Sequence, residues 1–232
     1  MQKSVARLGI GGPVGSGKTA LLECLVPLLQ QQGVEVAVVT NDLLTHEDAD
    51  RLKRKGFLPT ERIIGVQTGS CPHTAIREDP TMNLLAIRDL ERSFPQLDLI
   101  FVESGGDNLA STFSYDLIDA YLFVIDVGAG DDIPRKNGPG FMQADLAVIN
   151  KIDIAPYVGA DLAVIRKEAG ERRGSKPIAY TNCKTGEGLD HVMQFILETV
   201  LFRSTPYEPT FLETQAISHQ PSALSAQRFA DR

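Results

Sequence analysis

An α/β fold, a mostly parallel β-sheet flanked by helices on both faces, is what this sequence predicts, and three observations carry the prediction. Short β-branched, apolar runs alternate along the chain with longer amphipathic stretches. The runs are apolar nearly throughout, as in strands buried on both faces of a sheet. A length of 232 residues with 43% hydrophobic composition suits one sizeable core.

The strands are expected at Leu8 to Gly11, Val34 to Thr40, Arg62 to Val66, Leu97 to Val102, Tyr121 to Val127, Leu146 to Asn150 and Ile178 to Thr181. Between them, apolar residues at helical spacing predict helices over roughly Gly17 to Gln32, Glu47 to Lys55, Thr81 to Ser93, Ala160 to Glu171 and Glu187 to Leu201. In such sheets ligands bind beyond the carboxyl ends of the strands, so strand-to-helix junctions are where chemistry is to be sought. After Arg203 the composition shifts to Pro206, Pro209, Pro221 and several serines with few large apolar residues. The expected organisation is therefore one domain over residues 1–203 and a flexible tail over 204–232.

A formal net charge of −7 gives no basic footprint for nucleic acid, which is not an expected partner. No apolar run approaches the roughly 20 residues that span a bilayer, so no membrane association is expected. Three cysteines, Cys24, Cys71 and Cys183, form no framework spacing, and the N-terminal MQKSVARLGI lacks the apolar stretch of a signal peptide. The expected compartment is the reducing cytoplasm.

The segment GGPVGSGKT, Gly11 to Thr19, fits G-x-x-x-x-G-K-[ST] with a strand before it and a helix after it. Such a loop cradles phosphates. Gly12, Pro13, Val14, Gly15, Ser16 and Gly17 offer a curled backbone at the positive end of a helix, Lys18 adds charge over the outer phosphates, and Thr19 can hold Mg²⁺.

The strand Leu146 to Asn150 runs into NKID, which resembles the base-reading N-K-x-D of GTPases. The Asp153 carboxylate can accept from both N1–H and the N2 amine of guanine, donors that adenine does not present on that edge. Asn150 can tie the loop to its neighbours while the Lys151 stem packs across the base. TNCKTG, with Cys183 and Lys184, resembles the second base-contacting loop.

Two acidic groups are expected to converge on the phosphates: Asp42, just past the second strand, and Glu103, which opens ESGGDNL. Phosphoryl transfer needs a metal to neutralise charge and a group to orient the attacking water. Lys18, Asp42 and Glu103 are the candidate catalytic residues, with Thr19 and Asp42 as candidates for Mg²⁺. Gly105 and Gly106 would let the backbone after Glu103 move when the terminal phosphate is lost.

CPH, Cys71 to His73, places a thiol and an imidazole two residues apart. Two ligands are too few for a closed site, but a twofold axis would complete a Cys₂His₂ set. A planar set suits Ni²⁺ and a tetrahedral one Zn²⁺, and spacing does not choose between them.

GPVGSGKT, VTND, CPHTAIRED, ESGGDNL, IPRKNGPG and NKID, in this order, resemble the UreG family of urease accessory proteins from Leu8 to about Leu201. CPHTAIRED with ESGGDNL is the particular part; the hydrogenase maturation GTPase HypB shares the nucleotide logic but not these segments. The resemblance implies a three-layer P-loop NTPase of the SIMIBI class, which dimerises face to face around nucleotide. It implies GTP/GDP and Mg²⁺ at the loops, Ni²⁺ on Cys71 and His73, and a GTPase slow alone and stimulated in its accessory complex. Implied partners are accessory proteins of the UreE, UreF and UreD or UreH types, apo-urease, and a second copy of the chain when GTP and nickel are bound. The family motif usually reads V-E-T-G-G-C-P-H, whereas this chain reads VQTGSCPH, with Gln67 and Ser70 in place of glutamate and glycine. A neutral amide at position 67 would weaken any hard-cation contact made there.

Overall fold

The computed structural model describes residues 4–42, 47–67, 74–106, 112–136 and 138–203. The described strands are β1 (Ala6–Gly11), β2 (Val36–Asp42), β3 (Ile63–Gln67), β4 (Leu99–Glu103), β5 (Ala120–Asp126), β6 (Leu146–Asn150) and β7 (Ile178–Tyr180). They form one seven-stranded sheet in the order β3-β2-β4-β1-β5-β6-β7, and each described pairing is parallel. Strands β4 and β6 are buried at every residue, as a sheet covered on both faces requires.

Each face carries its own helices. Beneath α1 (Lys18–Gln31), α2 (Glu47–Lys55) and α8 (Leu189–Phe195), a core of Leu8, Ile10, Leu22, Leu25, Phe101 and Val124 fills one side. On the other side, α3 (Thr81–Ser93) and α7 (Leu162–Arg173) pack on Val39, Ile100, Val102, Phe123 and Ile149. The three layers are those expected of an α/β sheet.

The predicted elements are present with boundary shifts of at most two residues, except at the last helix. Val34 belongs to the turn after α1, its N–H donating to Leu29 O, so β2 begins at Val36 and runs on to Asp42. The last predicted helix starts as α8 and finishes as a wider π-helical turn over Ile196–Val200. Three short helices were not expected: α4 (Ile133–Lys136), α5 (Pro139–Gln143) and α6 (Ala155–Val158). A π-helical turn at Thr74–Glu78 also has no sequence signal. The end of α7 is pinned by the buried Arg173 guanidinium, which donates to Phe141 O, to Ala144 O at 3.0 Å and to Pro177 O at 3.0 Å. The predicted tail over residues 204–232 lies outside the described residues. No described helix is long and apolar enough to cross a membrane.

A candidate nucleotide site at the carboxyl edge of the sheet

The parallel order puts the carboxyl ends of β1, β2, β4, β5 and β6 along one edge, and the sequence-predicted site residues gather there. β1 ends at Gly11 and α1 begins at Lys18, so the intervening loop opens directly into the amino end of a 14-residue helix. Gly17, at the helix N-cap, has a left-handed backbone (φ 98°). A Cβ there would lie 2.3 Å from Asn150 Nδ2, so a side chain is excluded on two counts.

Lys18 is buried and its Nζ donates back to the loop, to Gly12 O at 2.9 Å and Pro13 O at 3.2 Å. The hydroxyl of Ser16 is buried with no hydrogen-bond partner among the described residues, which is costly unless something outside the chain supplies one. A buried hydroxyl, an ammonium and a helix amino end on one loop fit a phosphate chain.

Asn150 links three loops. Its Nδ2 donates to Ser16 O at 3.1 Å, and its Oδ1 accepts from Thr181 Oγ1 at 3.0 Å and from the Cys183 thiol at 3.4 Å. Lys151 adopts a left-handed backbone (φ 58°), uncommon for a residue with a side chain, and sends its Nζ to Gly15 O at 2.5 Å and toward Asp126 Oδ1 at 3.7 Å. Asp126 was not singled out in the sequence; it pairs with Asn150 in register and its carboxylate also accepts from Gly128 N–H. Together Gly17, Asn150, Lys151, Asp153, Cys183 and Lys184 line a cavity of about 160 Å³ beside the phosphate loop. The loop over Asn182–Lys184 is held by Asn182, whose Oδ1 accepts from Lys184 N–H at 2.9 Å.

The two thiols here differ. Cys24 on α1 donates to Cys183 O at 3.2 Å, and its interaction with the Cys183 side chain lowers the Cys24 pKa below its ordinary value. The same interaction, together with burial, pushes the Cys183 thiol well up.

On the other side of β1, Glu103 is buried at the end of β4, in register with Ile10 of β1 and Thr40 of β2. Thr19 Oγ1 donates to Glu103 Oε1 at 2.6 Å. A hydroxyl and a carboxylate beside a phosphate loop are hard oxygen donors, and they fit Mg²⁺. Asp42 closes β2 at the same edge, paired with the exposed Gln67 of β3. Gly106 lets the chain after Glu103 lie against the phosphate loop, since a Cβ there would come 2.1 Å from Val14 Cγ2.

Cys71, His73 and Ser70 lie outside the described residues. Among the described residues no group of three or more His, Cys, Asp or Glu could hold a metal ion. Two residues that sequence reasoning passed over stand behind this edge: Asn41 and Asn83 are fully buried and hydrogen-bonded to each other through both carboxamides. The available signal was an asparagine on the apolar face of α3, where Ala86, Ile87 and Leu90 are its buried neighbours.

Comparison with known proteins agrees with this geometry. The family described as "CobW/HypB/UreG, nucleotide-binding domain" matches residues 6–180. The urease accessory protein UreG of Trichodesmium erythraeum (strain IMS101) is 78% identical over 201 residues, covering 87% of this chain and 95% of that protein. UreG 2 of Bradyrhizobium sp. (strain BTAi1 / ATCC BAA-1182) is 58% identical over 200 residues, covering 86% and 94%. Among solved structures, the hydrogenase maturation factor HypB from Archaeoglobus fulgidus superposes with a TM-score of 0.66 at 26% identity, covering 83% of this chain and 88% of that one. HypB from Helicobacter pylori, solved in complex with nickel, has the same fold, with a TM-score of 0.71 at 23% identity over 89% and 92% of the two chains. From the phosphate loop, the parallel sheet and these matches together, the chain belongs to the CobW/HypB/UreG nucleotide-binding family and, within it, to the urease accessory proteins of the UreG type.

Proposed function

We propose that this chain is a GTP-hydrolysing metallochaperone that couples GTP binding and hydrolysis to nickel delivery during maturation of the urease metallocentre. The observation that carries the guanine part is the cavity beside the phosphate loop, lined by Lys151 and Asp153 and braced by Asn150. A carboxylate at its wall suits the paired donors of guanine.

In this reading Gly12, Pro13, Val14, Gly15, Ser16, Gly17 and Lys18 hold the phosphates. Thr19 and Asp42 hold Mg²⁺, which neutralises charge on the transferring phosphate. Glu103, with Asp42 and Lys18, orients water and steadies the developing charge. Asn150, Lys151, Asp153, Cys183 and Lys184 bind the base. Nickel is the cargo, carried on Cys71 and His73 from two copies of the chain; the nickel complex of the Helicobacter pylori HypB supports that class of cargo. Zn²⁺ is the competing ion for the same pair.

The relatives' role as urease accessory proteins supports action in the cytoplasm on apo-urease, with partners of the UreE, UreF and UreD or UreH types. Turnover is slow alone and rises in that complex.

The test is nickel titration with a non-hydrolysable GTP analogue, with GDP and with no nucleotide, each followed by size-exclusion chromatography. The expected result is nickel binding and dimerisation that depend on the triphosphate and are lost in Cys71→Ala and His73→Ala. Unchanged nickel affinity in both variants would refute the metal assignment, and no nucleotide dependence would refute the coupling. Phosphate release measured with apo-urease and the accessory partners tests the hydrolysis.

A further inference from the structure

Asn41 and Asn83 meet in the core between β2 and α3, both 0% exposed. Asn41 Nδ2 donates to Asn83 Oδ1 at 3.0 Å and to Glu103 O at 3.0 Å. Asn83 Nδ2 donates to Asn41 Oδ1 at 2.8 Å and to Ala75 O at 2.9 Å. Both donor hydrogens of each amide are used.

An apolar pair of similar size would pack here without the cost of dehydrating two amides. What the amides add is connection between three segments. Glu103, whose carbonyl Asn41 holds, is the residue whose carboxylate accepts from Thr19. Asn41 itself sits between Thr40, in register with Glu103, and Asp42. At the far end, Ala75 lies two residues beyond His73.

We propose that Asn41 and Asn83 are a positioning pair that transmits the state of the phosphate site to the segment carrying Cys71 and His73. The idea rests on the nucleotide and nickel assignments above. A shift of the β4 end on nucleotide binding moves the carbonyl that Asn41 holds. The doubly bonded pair then moves as a unit, and Asn83 carries the Ala75 carbonyl with it. A fully satisfied buried network has few alternative geometries, which is what makes it able to pass on a displacement.

The experiment measures the nickel affinity of the full chain with and without a non-hydrolysable GTP analogue and Mg²⁺. The wild type is compared with Asn41→Leu, Asn83→Leu and the double variant. In the wild type the nucleotide is expected to tighten nickel binding by about 5–150-fold. Each single variant is expected to bring that ratio to within about 2-fold of unity while analogue affinity changes little.

The single variants leave an unpaired amide and lose stability. The double variant removes both amides and is expected to regain much of it, since replacing both partners is far cheaper than orphaning one. Its nucleotide coupling should nonetheless stay lost, which a merely structural role does not predict. A double variant that folds and keeps the wild-type ratio overturns the proposal. So does an equal loss of nickel affinity in both nucleotide states. A wild type with no nucleotide dependence removes the functional reading first and this inference with it, so the two failures are told apart by the wild-type ratio.

Discussion

Thr19 Oγ1 and Glu103 Oε1 stand 2.6 Å apart, joining the first turn of α1 to the end of β4. A charge-assisted hydrogen bond of this length holds the hydroxyl beside the phosphate loop.

Glu103→Gln keeps an acceptor for Thr19 but removes the charge. GTP turnover is expected to fall at least about 10-fold, with affinity for the non-hydrolysable analogue within about 3-fold. Phosphate release in the accessory complex and equilibrium analogue binding check this. Undiminished turnover would reduce Glu103 to a support for Thr19.

Asp153→Asn exchanges an acceptor for a mixed donor and acceptor at the cavity wall. GTP affinity is expected to drop about 10–100-fold, the cost of mispairing one or two buried hydrogen bonds. Xanthosine triphosphate, with a carbonyl where guanine has its amine, should recover part of the loss. Competition binding with the three triphosphates GTP, ATP and XTP reads the outcome.

Cys24 should alkylate before Cys183 and at a lower pH than an ordinary thiol. Its ionised form is favoured by the neighbouring Cys183 side chain, whose own thiol is held protonated. Guanine nucleotide should slow the reaction, because the Cys183 loop lines the base cavity. Peptide mass spectrometry across pH, with and without GDP, measures both; faster labelling of Cys183 would contradict the thiol order.

Arg173→Leu removes donors to four backbone carbonyls near the end of α7. A loss of about 2–4 kcal/mol is expected, lowering Tm by roughly 5–10 °C. Nucleotide affinity of the folded protein should not change, since Arg173 lies away from the phosphate loop. Thermal unfolding with and without GDP separates the two effects.

The sheet and the phosphate edge were legible in the sequence because both are written locally. Runs such as Leu146–Asn150 are apolar at every residue but the last, and the loop before Lys18 needs its glycines at fixed spacing. What escaped was short or long-range. Helices α4, α5 and α6 have four or five residues each, too few for helical periodicity to show. The Asn41–Asn83 pair joins residues 42 positions apart, and nothing near either asparagine announces the other. Cys71 and His73 are legible as a motif, but their ligand role rests on the family resemblance and on the titrations proposed above.

Gly17 and Asn150 come from two motifs that sequence searches score separately, yet a Cβ on the first would overlap the amide of the second at 2.3 Å. The two positions are therefore sterically coupled. A lineage that lost the asparagine would relax one of the two constraints on the glycine. A lineage that gained a side chain at 17 would have to abandon the amide bridge to Ser16.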